Sequence, residues 1–181
     1  LCSLEQDSER MFPFELSPTE TYKRHYVQQK LIFNKAPLSS IIKRSVFDES
    51  DGFAQVRHYG DFELWLRLAK VYKIVLMPHG IVWYRSSEGQ EKAVRQKNPL
   101  NALKTFQSAL NHLEEENCPL EESDKKQIIN NYKKLNASLI LFNYRKGNIA
   151  KAIELKKYSK LSYFDLVKYK FSKKGISDKI S

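Results

Sequence analysis

Asp61 is the residue of this sequence whose type and position most favour chemistry. It opens a predicted amphipathic helix and shares one face with Leu64, Trp65 and Leu68, at positions i, i+3, i+4 and i+7. From the residues alone the preferred interpretation is a cap at the N-terminus of the helix, since Asp is a preferred capping residue. The alternative is a carboxylate that takes part in chemistry, because packing alone does not readily explain an aspartate at the end of the buried side.

The opposite side of the same helix is charged. Glu63, Arg67 and Lys70 lie there, and the i, i+4 spacing of Glu63 and Arg67 suits an ion pair. This pattern predicts a solvent-exposed flank. After the helix, the sequence up to Arg85 predicts a strand, a break at residues 78–80 and a second strand.

Residues 37–53 read PLSSIIKRSVFDESDGF and lead towards this helix. Their pattern predicts a short buried strand over residues 39–43 and a short helix over residues 44–49. Gly52 and Phe53 then close a turn.

These two blocks resemble the later part of the catalytic domain of the family-2 glycosyltransferases, which have the GT-A fold. In that family a Gly-Gly-Phe turn precedes a helix of the form Glu-Asp-aromatic-acid-Leu-Trp-x-Arg. Here residues 51–53 read DGF and residues 60–67 read GDFELWLR, so Gly60 stands where the family has Glu. The resemblance implies that Asp61 is the base of an inverting sugar transfer. It also makes Glu63 and Trp65 candidates for the acceptor or donor site.

The resemblance continues less completely after the second predicted strand. Many family members have Tyr-Arg-x-His followed by Gln, and residues 84–90 here read YRSSEGQ. Arg85 and Gln90 therefore become further site candidates. Ser87 stands where the family has a histidine that ligates the metal, and a hydroxyl is a much weaker ligand, so we assign no metal ligand. His79 is interpreted as a turn residue.

The nucleotide-binding features of the family do not occur in the sequence. A complete enzyme holds Mg²⁺ or Mn²⁺ on an Asp-x-Asp motif at the end of a βαβ half, and no Asp-x-Asp occurs here. We expect that half to be absent and this chain alone to hold no metal and to be inactive.

The predicted fold is an α/β fragment of the α+β type, rich in helix. Residues 1–95 would form the acceptor half of a GT-A domain, with short strands, and residues 96–181 an all-helical basic extension. Residues 1–16 are predicted to be irregular, and Ser17 with Glu20 begins a helix that runs to Phe33. Further helices are predicted over residues 99–116, 123–146, 149–158 and 162–171, with a break at Gly147.

The amino-acid composition bears on the cellular location of the chain. Its 181 residues carry a formal net charge of +10 and two cysteines, which do not form a disulfide framework. No apolar run approaches the roughly 18 residues of a membrane span. These features suggest a cytoplasmic protein.

Most of the net positive charge lies near the C-terminus. From Arg145 onward there are eleven Lys or Arg and three acidic residues, interleaved with aromatic side chains. Three interpretations follow, in decreasing order of preference: a solvated surface, a peripheral contact with an anionic membrane at its inner face, and nucleic-acid binding, which no recognition motif supports.

Two function classes remain open from the sequence. The first is the acceptor-side portion of an inverting glycosyltransferase, acting on a nucleotide-sugar donor and a glycan or lipid-linked acceptor in polysaccharide or cell-surface glycan synthesis. The second is a truncated, inactive protein that acts as a binding module through its basic helical tail.

Overall fold

The computed structural model describes residues 12–77 and 98–171. This part of the chain is rich in helix and contains a two-stranded antiparallel sheet, in agreement with the predicted α+β character. The chain divides into two compact units, residues up to Ile128 and residues from Ile129 onward.

The sheet joins the start of the first unit to the strand that follows the central helix. Strand β1 (Phe14–Leu16) pairs with β2 (Ile74–Leu76) so that Phe14 lies opposite Leu76. Phe14 and Leu16 are buried. The prediction of an irregular segment up to residue 16 was therefore wrong at β1, because three residues are too few to show a strand pattern, whereas the prediction of β2 is confirmed.

The first helix begins as predicted but ends early. Helix α1 (Pro18–Tyr22) starts at Ser17, which forms a reciprocal capping box with Glu20. It continues as a π-helical turn (Lys23–Val27), and a separate 3-10 turn (Ile32–Asn34) follows. The prediction of a single helix that runs to Phe33 was thus wrong beyond Val27.

The segment between this region and the central helix is less regular than predicted. Residues Pro37–Ser39 form a 3-10 turn, and Ile41 is 100% exposed, so the predicted buried strand over residues 39–43 was wrong. The short helix is confirmed as α2 (Arg44–Glu49).

Helix α3 (Gly60–Val71) is the centre of the first unit, and its prediction is confirmed. Leu64 and Leu66 are fully buried, and the hydroxyl of Tyr22 donates a hydrogen bond to the carbonyl of Leu66 at 2.9 Å. His25 packs on Phe33 next to this helix, and its Nδ1 accepts from the Phe33 N–H at 3.2 Å. Burial lowers the pKa of His25 to about 3, so its ring is neutral.

Helix α4 (Pro99–Glu114) packs against α3, and its residues Leu103, Leu110 and Leu113 are buried. The side chain of Asn98 caps it by accepting from the Leu100 N–H at 3.1 Å. This helix, which the sequence assigned to the basic extension, belongs to the same compact unit as α3. The predicted boundary at residue 95 lies outside the described residues.

The second unit is helical. Helix α5 (Glu122–Arg145) runs into it from the first unit, and α6 (Ile149–Ser159) and α7 (Tyr163–Phe171) follow, close to their predicted bounds. The break between α5 and α6 is confirmed, with Gly147 at a positive φ of 75°. Among residues 12–77 and 98–171, no helix combines the length and apolar character needed to cross a bilayer.

Candidate functional site

Asp61 lies in the first turn of α3, but it is not the capping residue. The cap position is Tyr59, which makes no side-chain capping bond. Oδ1 of Asp61 accepts from the N–H of Phe62 at 2.8 Å, and Oδ2 meets no donor within the described part of the chain. The capping interpretation was therefore wrong, and Asp61 presents a partly exposed carboxylate with one oxygen available.

Gly60, the residue before Asp61, lies close to the backbone of Ala54. A Cβ at Gly60 would stand 3.2 Å from the carbonyl oxygen of Ala54, a tight contact. A glutamate here, as in the resembling family, would require this carbonyl to move by a few tenths of an ångström. The geometry thus accounts for Gly60 at this position.

Glu63 is bound on both of its oxygens, so the prediction of a solvent-exposed flank was wrong. The hydroxyl of Ser108 donates to Oε2, and Oε1 lies 2.6 Å from Nε2 of His112, both on α4. Burial raises the pKa of Glu63, but the hydrogen bonds from His112 and Ser108 and the charges of His112 and Arg67 outweigh it and leave this pKa below its ordinary value.

The polar contacts between α3 and α4 extend beyond Glu63. Nδ1 of His112 lies 3.1 Å from Oε1 of Glu115 but makes no hydrogen bond. The same glutamate pairs with the ammonium of Lys70, whose side chain is only 6% exposed. Glu63, Lys70, His112 and Glu115, together with Ser108, form what we call the α3–α4 polar network. The sequence analysis missed Ser108 and His112, and their i, i+4 spacing on one side of α4 was the signal that could have found them.

Arg67 connects the two blocks of sequence that resemble the glycosyltransferases. Its guanidinium donates to the carbonyl oxygens of Ser50 and Gly52, in the turn that follows α2. Gly52 has a positive φ of 57°, and a Cβ there would stand 2.8 Å from Cζ of Phe47, so this position requires glycine. Asp51 has φ of 58°, a conformation that Asp tolerates better than most residues.

Trp65 has a structural contact that accounts for its burial. Its indole Nε1–H donates to the carbonyl of Lys35 at 2.8 Å, and the side chain is 9% exposed. Trp65 therefore holds the loop before α2 against the first turns of α3.

The remaining predicted site residues, Arg85, Ser87 and Gln90, lie outside the described residues, as does His79. Within residues 12–77 and 98–171, no group of three or more His, Cys, Asp or Glu side chains could hold a metal ion. We derive no metal-dependent step from these residues.

Comparison of the chain with protein-family models, with curated proteins and with solved structures finds no match in any of the three. The chemistry of the site is therefore inferred from its geometry and its sequence pattern alone. Of the charged side chains on α3, Glu63, Arg67 and Lys70 are engaged by other elements, and one carboxylate oxygen of Asp61 has no partner among the described residues.

Proposed function

We propose that this chain is the acceptor-side portion of an inverting glycosyltransferase, with Asp61 as the catalytic base. The substrates would be a nucleotide-sugar donor and a glycan or lipid-linked acceptor. The proposal includes the assignment of the first unit to the acceptor half of a GT-A domain.

The observation that carries this proposal is the pairing of Arg67 with the carbonyls of Ser50 and Gly52. The DGF turn and the GDFELWLR helix are the two segments that resemble the family, and this contact holds one against the other. The contact brings the two segments together in space, as a shared site of this family requires.

The partial exposure and the hydrogen bonding of Asp61 suit the role of a base. A sugar hydroxyl becomes an effective nucleophile when a positioned carboxylate accepts its proton during attack. In the proposed reaction the proton passes to Oδ2 of Asp61 and the acceptor oxygen bonds to the anomeric carbon. The attack comes from the face opposite the nucleoside diphosphate, whose bond to that carbon breaks, so the configuration is inverted. The bond from the Phe62 N–H to Oδ1 orients the carboxylate for this step.

The proposal divides the remaining tasks between this chain and the rest of the enzyme. A divalent metal and the residues that hold the nucleotide diphosphate would belong to a βαβ half outside this sequence, which has no Asp-x-Asp motif. The chain by itself should then bind acceptors and fail to bind nucleotide.

Two titrations of the isotopically labelled chain test this division. We expect glycans from a panel of acceptors to shift backbone amide signals of residues 58–62, next to Asp61, and uridine diphosphate with Mn²⁺ to give no micromolar binding by calorimetry. Micromolar binding of the nucleotide would contradict the proposed division. Glycan-induced shifts that map away from the start of α3 would remove Asp61 from the acceptor site.

A further inference from the structure

One side of α7 presents large apolar side chains to solvent. Tyr163, Phe164 and Val167 are 67%, 77% and 55% exposed, whereas Leu166 and Tyr169 on the other side of the helix are buried. The hydroxyl of Tyr169 also bonds Oδ1 of Asn130 at 3.0 Å. The buried residues therefore account for most of the packing of α7 within the second unit, and most of the surface of the three exposed ones faces solvent.

Lysines border this apolar strip on both sides. At about 100° of rotation per residue, Lys170 falls next to Tyr163 on one edge and Lys168 falls beyond Phe164 on the other. Both lysines are exposed. We call these five residues the lysine-edged face of α7; they are Tyr163, Phe164, Val167, Lys168 and Lys170.

Helix α6 adds positive charge beside the same strip. Nζ of Lys156 lies 3.9 Å from the centre of the Tyr163 ring, a cation–π contact that brings this lysine to the edge of the face. Lys157 and Lys160 are exposed nearby on the chain, and Ile153 is 54% exposed on α6.

The acidic groups of these two helices are outnumbered, since α6 and α7 carry five lysines and two acidic residues. Glu154 pairs with Lys151 at 2.9 Å, and Asp165 accepts from the backbone N–H and the hydroxyl of Ser162 at 2.9 and 2.7 Å. From Arg145 onward the sequence has eleven basic and three acidic residues. The partner of this face must therefore accept apolar side chains and carry negative charge.

We propose that the lysine-edged face of α7 docks on the surface of an anionic lipid bilayer. Tyr163, Phe164 and Val167 enter the boundary between headgroups and acyl chains, and the lysines keep their ammonium groups among the anionic headgroups. The aliphatic Val167 at the centre of the strip favours lipid over nucleic acid, because bases stack on aromatic rings and not on a valine. This docking goes beyond the proposed sugar transfer and depends only on contacts within the second unit.

Vesicle co-sedimentation of the full chain tests the proposal. We expect the protein to pellet with vesicles of equal parts phosphatidylcholine and phosphatidylglycerol and to stay in solution with phosphatidylcholine alone. Binding should fade as salt rises from about 0.1 M to about 1 M, because the Debye length shortens from about 10 Å to about 3 Å.

Charge-matched variants locate the contact. Each lysine near the headgroups strengthens partitioning by about fivefold, so the double variant Lys168→Gln/Lys170→Gln should bind about 30-fold more weakly. Lys43→Gln/Lys126→Gln removes the same net charge from exposed positions of the first unit and should bind as the wild type does.

A second pair of variants tests the apolar contribution. Phe164→Ser should weaken partitioning by about tenfold. Ile41→Ser removes a fully exposed isoleucine elsewhere and should have no effect. Far-ultraviolet circular dichroism confirms that each variant keeps its helices.

Three results would overturn the proposal. The first is the absence of pelleting with anionic vesicles at low salt. The second is an equal loss of binding in the Lys43/Lys126 control, which would indicate a diffuse charge effect. The third is sedimentation of the protein without vesicles that Phe164→Ser abolishes, which would make the face a contact between copies of this chain.

Discussion

The polar side of α3 and the lysine-edged face of α7 reverse what their sequences suggest. Glu63, Arg67 and Lys70 have the charge pattern of a solvated helix flank, yet their side chains bind α4 and the turn after α2. On α7 the large apolar residues Phe164 and Val167 remain in solvent. The charged side of one helix is thus internal to its unit, whereas an apolar strip of the other is external.

The difference teaches that an amphipathic pattern reports which side of a helix is apolar and not which side is covered. A charged side chain is covered when a neighbouring element supplies partners for it, because its desolvation is then offset by hydrogen bonds and opposite charge. Helix α4 and the Ser50–Gly52 turn supply such partners for α3. The apolar strip of α7 has flanking lysines and locally bound acids, which suit a partner outside the chain.

The largest expected effect concerns the one carboxylate on α3 that keeps an oxygen available. In the complete enzyme, Asp61→Asn should lower the transfer rate by about 100- to 10,000-fold, because the amide cannot accept the proton of the acceptor hydroxyl. Donor binding should stay near normal. Steady-state kinetics measure both quantities, with Asp48→Asn, a change of an exposed carboxylate on α2, as the control. Near-normal turnover of Asp61→Asn would remove the catalytic role.

Arg67 and Lys168 compare a charge that is bound inside a unit with a charge that faces solvent. Arg67→Met should lower the free energy of unfolding by about 3 kcal/mol, because the carbonyls of Ser50 and Gly52 lose a charged donor. Lys168→Met on α7 should change it by less than about 0.5 kcal/mol. Urea denaturation followed by circular dichroism measures both.

A conservative change at Arg67 separates charge from geometry. Arg67→Lys keeps the positive charge but cannot place two donors in a fixed fork, so its loss should fall between those of the wild type and Arg67→Met. Equal stability of Arg67→Met and Lys168→Met would contradict the contrast between the two helices.

The pH dependence of stability tests the α3–α4 polar network at Glu63. Its pKa in the folded protein lies below its value in the unfolded chain, so its contribution is present above the unfolded pKa and is lost as pH falls through the folded pKa. Glu63→Gln should cost about 1–2 kcal/mol at neutral pH, and this cost should shrink in acid. Chemical denaturation at a series of pH values below neutrality measures the difference.

A matched control distinguishes the network from an ordinary surface pair. Glu122 also has a lowered pKa, caused first by the hydrogen bond from Lys125, but its side chain is exposed. Glu122→Gln should leave stability nearly unchanged across the same pH range. A cost at Glu63 that does not vary with pH would show that its ionisation adds nothing to stability.

The smallest expected effect is on the exposed strip of α7. Phe164→Ser should change the free energy of unfolding by less than about 0.5 kcal/mol, because the ring is 77% exposed. Leu166→Ala, two residues further along and 4% exposed, should cost about 3 kcal/mol. Denaturation of the two variants compares them directly, and a large loss in Phe164→Ser would show that this ring supports the second unit.

Regular elements with strong periodicity were predicted from sequence with nearly correct bounds. Helix α3, the long helix α5 and the helix start at Ser17 are examples, since apolar spacing and local capping bonds act within a few residues. Strand β1 and the loop at Ile41 were predicted wrongly. A three-residue strand exists because β2 pairs with it, and an apolar residue such as Ile41 stays exposed because nothing packs over it.

The candidate site also combines features that the sequence predicts with features that only tertiary contacts decide. By itself the sequence determined that Asp61 stands at the start of an amphipathic helix, one turn from Trp65, and that the DGF turn comes shortly before it. Only the tertiary structure decided that Tyr59 and not Asp61 occupies the cap, that Glu63 is bound by Ser108 and His112, and that Arg67 holds the turn. Helical spacing is a local property of the chain, whereas these hydrogen bonds join residues up to 49 positions apart and form only when separate elements pack together.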